Sequence, residues 1–166
     1  MRNNKIKKLT TLAMFLALAT LLNYIESLVP LFVSFPGVKL GLANTVNLIV
    51  LYYYGRKEYF SIGILRVLLV GVMFNGLFSN SFLLSLSGFL LSSIMVIVFS
   101  FIKKISIYTL STVSAIFHCL GQIICAMIII EKGMILYLPI ILLSSIISSV
   151  FIAIISSLVI KKLNRI

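Results

Sequence analysis

The sequence predicts an all-α polytopic membrane protein: a six-transmembrane-helix bundle with both termini cytoplasmic, forming one integral membrane domain over 1–166. Three observations carry this expectation. Hydrophobic residues make up 61% and charged residues 10% of the chain, with a mean hydropathy of +1.24, which is outside the range of ordinary soluble domains. Apolar stretches long enough to cross hydrocarbon recur from end to end. Finally, eleven of the fourteen Lys and Arg residues fall into four clusters: Arg2, Lys5, Lys7 and Lys8; Arg56 and Lys57; Lys103 and Lys104; and Lys161, Lys162 and Arg165. Six crossings place all four clusters on the cytoplasmic side, leave Lys39 and Lys132 outside, and make Arg66 the one intramembrane charge. The expected location is therefore the cell membrane, as a multi-pass protein.

The first span, 9–29, follows a basic start and is read as a retained helix. It is longer than a signal-peptide core, and no small-x-small cleavage pattern follows it. The second, 41–54, is the weak one, because its fourteen residues rise only about 21 Å as a helix. It is kept because five crossings would set the first basic cluster opposite the other three. Spans at 59–78, 82–102, 105–130 and 134–160 complete the bundle. Tyr52, Tyr53 and Tyr54 suit an interfacial belt before a cytoplasmic turn at Gly55 to Glu58, and 79–81 and 131–133 read as tight outer turns. The connection 30–40 (PLFVSFPGVKL), with two prolines and a glycine, is either a lid over the outer mouth or a connector resting in the head-group layer.

Polar side chains inside hydrocarbon cost energy unless partnered, so they mark sites or packing seams. Asn23 and Glu26 lie toward the outer end of helix 1, Asn44 and Asn47 open helix 2, Asn75 lies near the outer end of helix 3, and His118 and Gln122 sit in the outer half of helix 5. These seven share one depth zone, and their i, i+3 and i, i+4 spacings put members of each pair on a common face, continued in helix 5 by Ser111 and Ser114. A polar cavity open to the outside is inferred, with interhelical bonding by the amides as the alternative. Glu26 suits a cationic or hydroxylated ligand or Lys39 across the loop, or is simply hydrated at a helix end; Lys39 suits an anionic group, or is solvated. Arg66, nine residues before Asn75, is expected on roughly the opposite face, away from this cavity.

Small residues mark packing. Ala13 and Ala17 form a small-xxx-small step that points roughly 130° away from Asn23 and Glu26 on a helical wheel. One face of helix 1 is thus available to a partner while another lines the cavity. Similar steps occur at Ser144/Ser148 and Ser145/Ser149.

Several chemistries are disfavoured. The net charge of +11 belongs to membrane flanks facing anionic lipid, and no nucleic-acid partner is expected. With no Asp, and with Glu26, Glu58 and Glu131 far apart, no carboxylate cluster for a metal-bound diphosphate is available. A single His and two cysteines on different faces of one helix, Cys119 and Cys125, exclude a His-based metal cluster and disfavour a disulfide. There is no phosphate-binding G-x-x-x-x-G-K-[ST] loop, so any ATP-driven step needs a partner. No catalytic residue, cofactor or metal is assigned, and the chain is not expected to be an enzyme.

The string FPGVKLGLANTVN at 35–47, followed by Ile64-Leu65-Arg66-Val67 and SFLLSLSGFLLS at 81–92, resembles the Gx transporter family, whose members are also labelled heptaprenyl diphosphate synthase component I. That family is similar to the S components of energy-coupling factor transporters. The resemblance implies six helices, capture of a vitamin-like small-molecule substrate beneath the first outer loop, and association with a transmembrane coupling subunit and two cytoplasmic ATPases. It also implies that Ala13 and Ala17 contact the coupling subunit, and that Pro36, Gly37, Lys39, Gly41 and Asn44 stand at the mouth of the pocket, Pro36, Gly37 and Gly41 within its loop lid. The alternative implied by the second label is a membrane-integral, non-catalytic partner of a polyprenyl diphosphate synthase.

Overall fold

The computed structural model describes residues 2–28, 41–102 and 104–163, and every regular element among them is helical. Six α-helices run in order: α1 Arg2–Leu28, α2 Leu42–Tyr54, α3 Arg56–Val70, α4 Asn80–Phe99, α5 Ile107–Ile129 and α6 Leu138–Leu163. A π-helical segment, Gly71–Asn75, extends α3, and a 3-10 segment, Lys132–Tyr137, leads into α6.

Among the described residues four stretches are long and apolar enough to cross a membrane: Asn4–Glu26, Asn80–Phe99, Ile107–Ile129 and Lys132–Leu163. With this composition they describe a multi-pass membrane protein. α2 and α3 fall short, at 13 and 15 residues. The position of α2 explains how it can be short. It carries an unbroken buried run from Thr45 to Val50 and packs against α1, α3, α5 and α6. A helix enclosed by other helices meets protein groups rather than lipid at its ends, so its length need not match the bilayer.

The connection expected at Gly55 to Glu58 shrinks to Gly55 alone (φ 96), and Arg56, Lys57 and Glu58 form the first turn of α3. α1 likewise starts earlier than predicted and carries its basic cluster on the helix. Ties at one end of the bundle hold these basic segments together. Lys8 pairs with Glu58, and the Tyr53 hydroxyl donates to the carbonyl of Ile160 at 3.1 Å. Arg56 donates to the Ser100 hydroxyl and carbonyl at 2.7 and 2.9 Å, and its guanidinium lies 3.7 Å from the centroid of the Phe101 ring. A cation on the last carbonyls of α4 also complements the helix dipole.

The bond from Lys8 holds the Glu58 carboxyl below its usual 4.5. A carboxyl with a depressed pKa contributes stability that is present above its unfolded value and lost as pH falls through the folded one. Lys8→Ala is therefore expected to lower stability at neutral pH by less than about 1 kcal/mol, as for exposed ion pairs. Its melting profile should converge with that of the unmodified chain as pH falls through the lowered folded-state pKa of Glu58; a gap that persists in strong acid would contradict the assignment.

α4 and α5 approach each other backbone to backbone. A Cβ on Gly121 would lie 2.6 Å from the carbonyl oxygen of Ser87, and one on Gly88 would lie 2.9 Å from that of His118. The serines that keep α4 slim do so without orphaned hydroxyls. Ser87, Ser92 and Ser93 donate to carbonyls of the preceding turn at 3.0, 3.1 and 3.0 Å.

Candidate functional site

All six helices contribute to one cavity of about 70 Å³, at the end of the bundle away from both chain termini. α1 brings Asn23 and Glu26, the start of α2 brings Gly41 and Asn44, and α5 brings His118 and Gln122. Each pair follows helical i, i+3 or i, i+4 spacing, so a single face of each helix serves the site. α3 adds Arg66, Val67 and Val70, α4 adds Phe82 and Ser85, and α6 adds Ser145, Ser148 and Ile152.

The shortness of α2 makes room for the cavity. Its first turn is set by Gly41 in the left-handed region (φ 78), and the N–H of Asn44 returns to the Gly41 carbonyl at 2.8 Å. The Gly41 N–H donates to the Glu26 carboxylate. A negative group at a helix N-terminus satisfies an orphan donor and complements the dipole. Glu26 is only 7% exposed, so the reading of it as a hydrated helix-end residue is corrected: it holds the start of α2 and faces the cavity. Any larger residue at Gly41 would be strained, and its Cβ would lie 3.0 Å from Ile152.

Arg66 requires the largest correction. It lines the cavity that the sequence pattern assigned to the other side of α3. The expectation took Asn75 as the marker of the cavity face, but the Asn75 side chain lies outside the described residues, and the last five residues from Arg66 to Asn75 are π-helical, so an α-helical wheel does not give their relative direction. The sequence signal that could have revealed this is Gly71. A Cβ there would collide with the ring of Phe82, so the glycine lets a cavity wall press against the irregular turn.

Arg66 is 4% exposed. Its Nη1 donates to Asn44 Oδ1 at 3.2 Å, and Glu26 and Tyr59 are its electrostatic neighbours. Its Nε is buried with no hydrogen-bond partner among the described residues. A guanidinium has five N–H donors in a rigid fork. The protein leaves part of that fork unmet.

Asn47 is a second correction. It is buried at 2% exposure but does not line the cavity; its amide nitrogen lies 3.2 Å from where a Cβ on Gly63 would sit, and its Oδ1 has no described partner. Residues at i and i+3 share a face, yet they differ in depth by about 4.5 Å, and here that step separates cavity from packed interior. Ser145 and Ser148 err the other way, read as packing steps but placed in the wall. Ser149 does pack, accepting on its carbonyl from the Ser111 hydroxyl at 2.8 Å. Ser114 is within hydrogen-bonding reach of Tyr59. The stripe below His118 and Gln122 is therefore an interhelical seam.

Gly88 leaves space for His118 and Gln122, since a Cβ would lie 2.9 Å from both side chains. Beyond Gln122 a smaller cavity of about 30 Å³ is lined by Leu84, Ile123, Ala126, Ile130, Met134 and Ile141, with Gln122 in the wall of both. Pro36, Gly37, Lys39 and the Asn75 side chain lie outside the described residues. Gly41, expected as part of a lid, is anchored by its bond to Glu26. Ala13 and Ala17 are exposed on α1. Both cysteines are free, Cys119 buried and Cys125 half-buried. Among the described residues no group of His, Cys, Asp or Glu is placed to hold a metal.

The arrangement can recognise a small polar solute through amides, hydroxyls, a carboxylate and a guanidinium set beside apolar walls. No curated protein and no solved structure matches the chain. The family model described as Heptaprenyl diphosphate synthase component I matches residues 15–159, reaching all six helices that build the cavity, and the chain belongs to that family.

Proposed function

We propose that this chain is a substrate-binding membrane subunit, of the S-component kind, in an energy-coupling factor type uptake transporter for a vitamin-like small molecule. The observation that carries this reading is the cavity itself: a polar chamber assembled from six helices around a buried arginine whose Nε has no partner among the described residues. Buried polar groups in a membrane bundle are costly and are retained where a solute replaces water. In this reading the chain crosses the membrane six times with its basic end and both termini in the cytoplasm, the cavity faces outward, and 30–40 closes over it. The chain is not itself an enzyme. A transmembrane coupling subunit docks on the Ala13 and Ala17 face, and cytoplasmic ATPases drive release inward.

Asn44→Ala is expected to weaken retention of the co-purifying small molecule by about tenfold, through loss of an amide contact and of the Arg66 support, while capture of the coupling subunit is unchanged. Ala13→Trp and Ala17→Trp should do the reverse, filling the exposed face and leaving the cavity intact. The checks are mass spectrometry of small molecules retained by the mildly purified protein, and co-purification of partners. Wild-type retention by assembled Asn44→Ala would remove the cavity from the proposal.

The family's description favours a second reading, a membrane-integral non-catalytic partner of a polyprenyl diphosphate synthase. Co-purification separates the two. Capture of a prenyl synthase with no ATPase or coupling subunit would establish the second and overturn transport.

A further inference from the structure

We infer that the cavity takes a small amphiphilic acid, its single negative group on Arg66 and its apolar end passing Gln122 into the smaller cavity. This deepens the proposed solute-binding role and rests on it. The anionic half follows from the donors. Arg66 is 4% exposed, spends one described hydrogen bond on Asn44, and keeps Nε buried without a partner while lining the cavity. A carboxylate or phosphate oxygen pair matches the spacing of a guanidinium fork, and such charge-assisted bonds are the strong ones in a low-dielectric site.

The charge is limited to one. Glu26 lines the same cavity and is its one described carboxylate, seated on the Gly41 N–H, and Arg66 is its one described cation. No metal group is available among the described residues to offset more negative charge. Among the described residues a diphosphate would face Glu26 with one guanidinium to balance its several charges, an arrangement that Coulomb repulsion disfavours at short range more than a single charge.

The apolar half follows from the second cavity. Its walls are Leu84, Ile123, Ala126, Ile130, Met134 and Ile141, and Gln122 stands between it and the polar cavity as a wall of both. A flexible amide between a polar and an apolar chamber sets how much chain can pass. The occupant that fits both is a charged head with a short aliphatic tail.

Titration calorimetry on the purified chain in phosphatidylcholine nanodiscs tests this. The probes are straight-chain acids from butanoate to octanoate, their methyl esters, the matching alkylamines, monoalkyl phosphates and monoalkyl diphosphates. An acid of intermediate length should bind at least about tenfold tighter than its ester or amine, the effect of one charged hydrogen-bonded contact. The carboxylate and phosphate arms identify which acid group is taken, and preference for either supports the inference. Arg66→Gln should erase the difference between acid and ester, whereas Arg66→Lys should keep part of it. Gln122→Ala should shift the preferred acid to a longer chain. Equal binding of esters or amines, tightest binding of the diphosphates, no binding by any probe, or an unchanged length preference in Gln122→Ala would overturn it. Because the assay needs no partner, acid binding without a co-purifying coupling subunit would retain the ligand class and reject transport. Capture of that subunit with no acid preference would do the opposite.

Discussion

Arg66→Met combined with Glu26→Gln, which removes both buried charges, is expected to abolish retention of the bound small molecule while leaving the melting temperature of the purified protein unchanged or raised. The two outcomes diverge because the guanidinium costs stability where it sits. It is 4% exposed and makes one described hydrogen bond, 3.2 Å to Asn44, with Nε unpartnered among the described residues. Removing a charge from water is expensive, and one long hydrogen bond with a nearby carboxylate offsets it incompletely. Replacing a whole buried ion pair by uncharged side chains of similar volume is neutral or stabilising by about 1–4 kcal/mol, whereas removing one partner alone costs about 3–5 kcal/mol because the other charge stays buried. The amide put in place of the Glu26 carboxylate keeps an oxygen to accept from the Gly41 N–H at the start of α2. Thermal unfolding and mass spectrometry on the same preparation give both readouts. A large fall in melting temperature would mean that Arg66 and Glu26 brace the bundle, and binding would then have to be argued from other residues.

Gly121→Leu should have the largest structural effect of any single change in α5. The added Cβ would lie 2.6 Å from the Ser87 carbonyl oxygen and 2.9 Å from the Gly88 Cα, so its obstacles are backbone atoms that cannot rotate aside. α4 and α5 must then separate along the contact that also positions Phe82, Ser85, His118 and Gln122 around the cavity. A cost at or above about 3 kcal/mol is expected, the upper end for overpacking, together with loss of ligand retention. Gly133→Ala is the control. A Cβ there meets only the Glu131 side chain, at 3.9 Å, and a change within about 0.5 kcal/mol is expected. Similar yields and melting temperatures for both variants would mean that the α4–α5 contact is looser than the geometry indicates.

Both predictions concern residues whose role sequence patterning misjudged or did not reach. Asn23, Glu26, Asn44, His118 and Gln122 were legible because a polar side chain in an apolar helix stands out, and helical spacing gives its face. All five line one cavity. Asn47 carried the same signal and lies outside that cavity, because spacing reports direction better than depth. Ser145 and Ser148 looked like packing residues, since a small hydroxyl reads the same in a seam and in a wall. Arg66 was placed by its phase relative to Asn75, across a turn at Gly71–Asn75 that is π-helical and does not keep the α-helical phase. Nothing in the pattern signalled the apolar chamber beyond Gln122. It is bounded by residues from three helices and the 3-10 segment, each of them ordinary for a membrane bundle.

Composition and periodicity by themselves determined the helical class and the membrane environment. They also determined the grouping of basic residues into clusters, of which Lys8 is tied to Glu58 of α3 and Arg56 to Ser100 at the end of α4. These properties are sums over many residues and survive errors at any one of them. Tertiary structure alone decided that the short α2 is enclosed, that Glu26 holds its first turn, that Arg66 lines the cavity, and that two chambers share one glutamine as a wall. Each depends on the depth and phase at which separate helices meet. That relation is set by close packing between segments distant in the chain, which no single helix's residue pattern encodes.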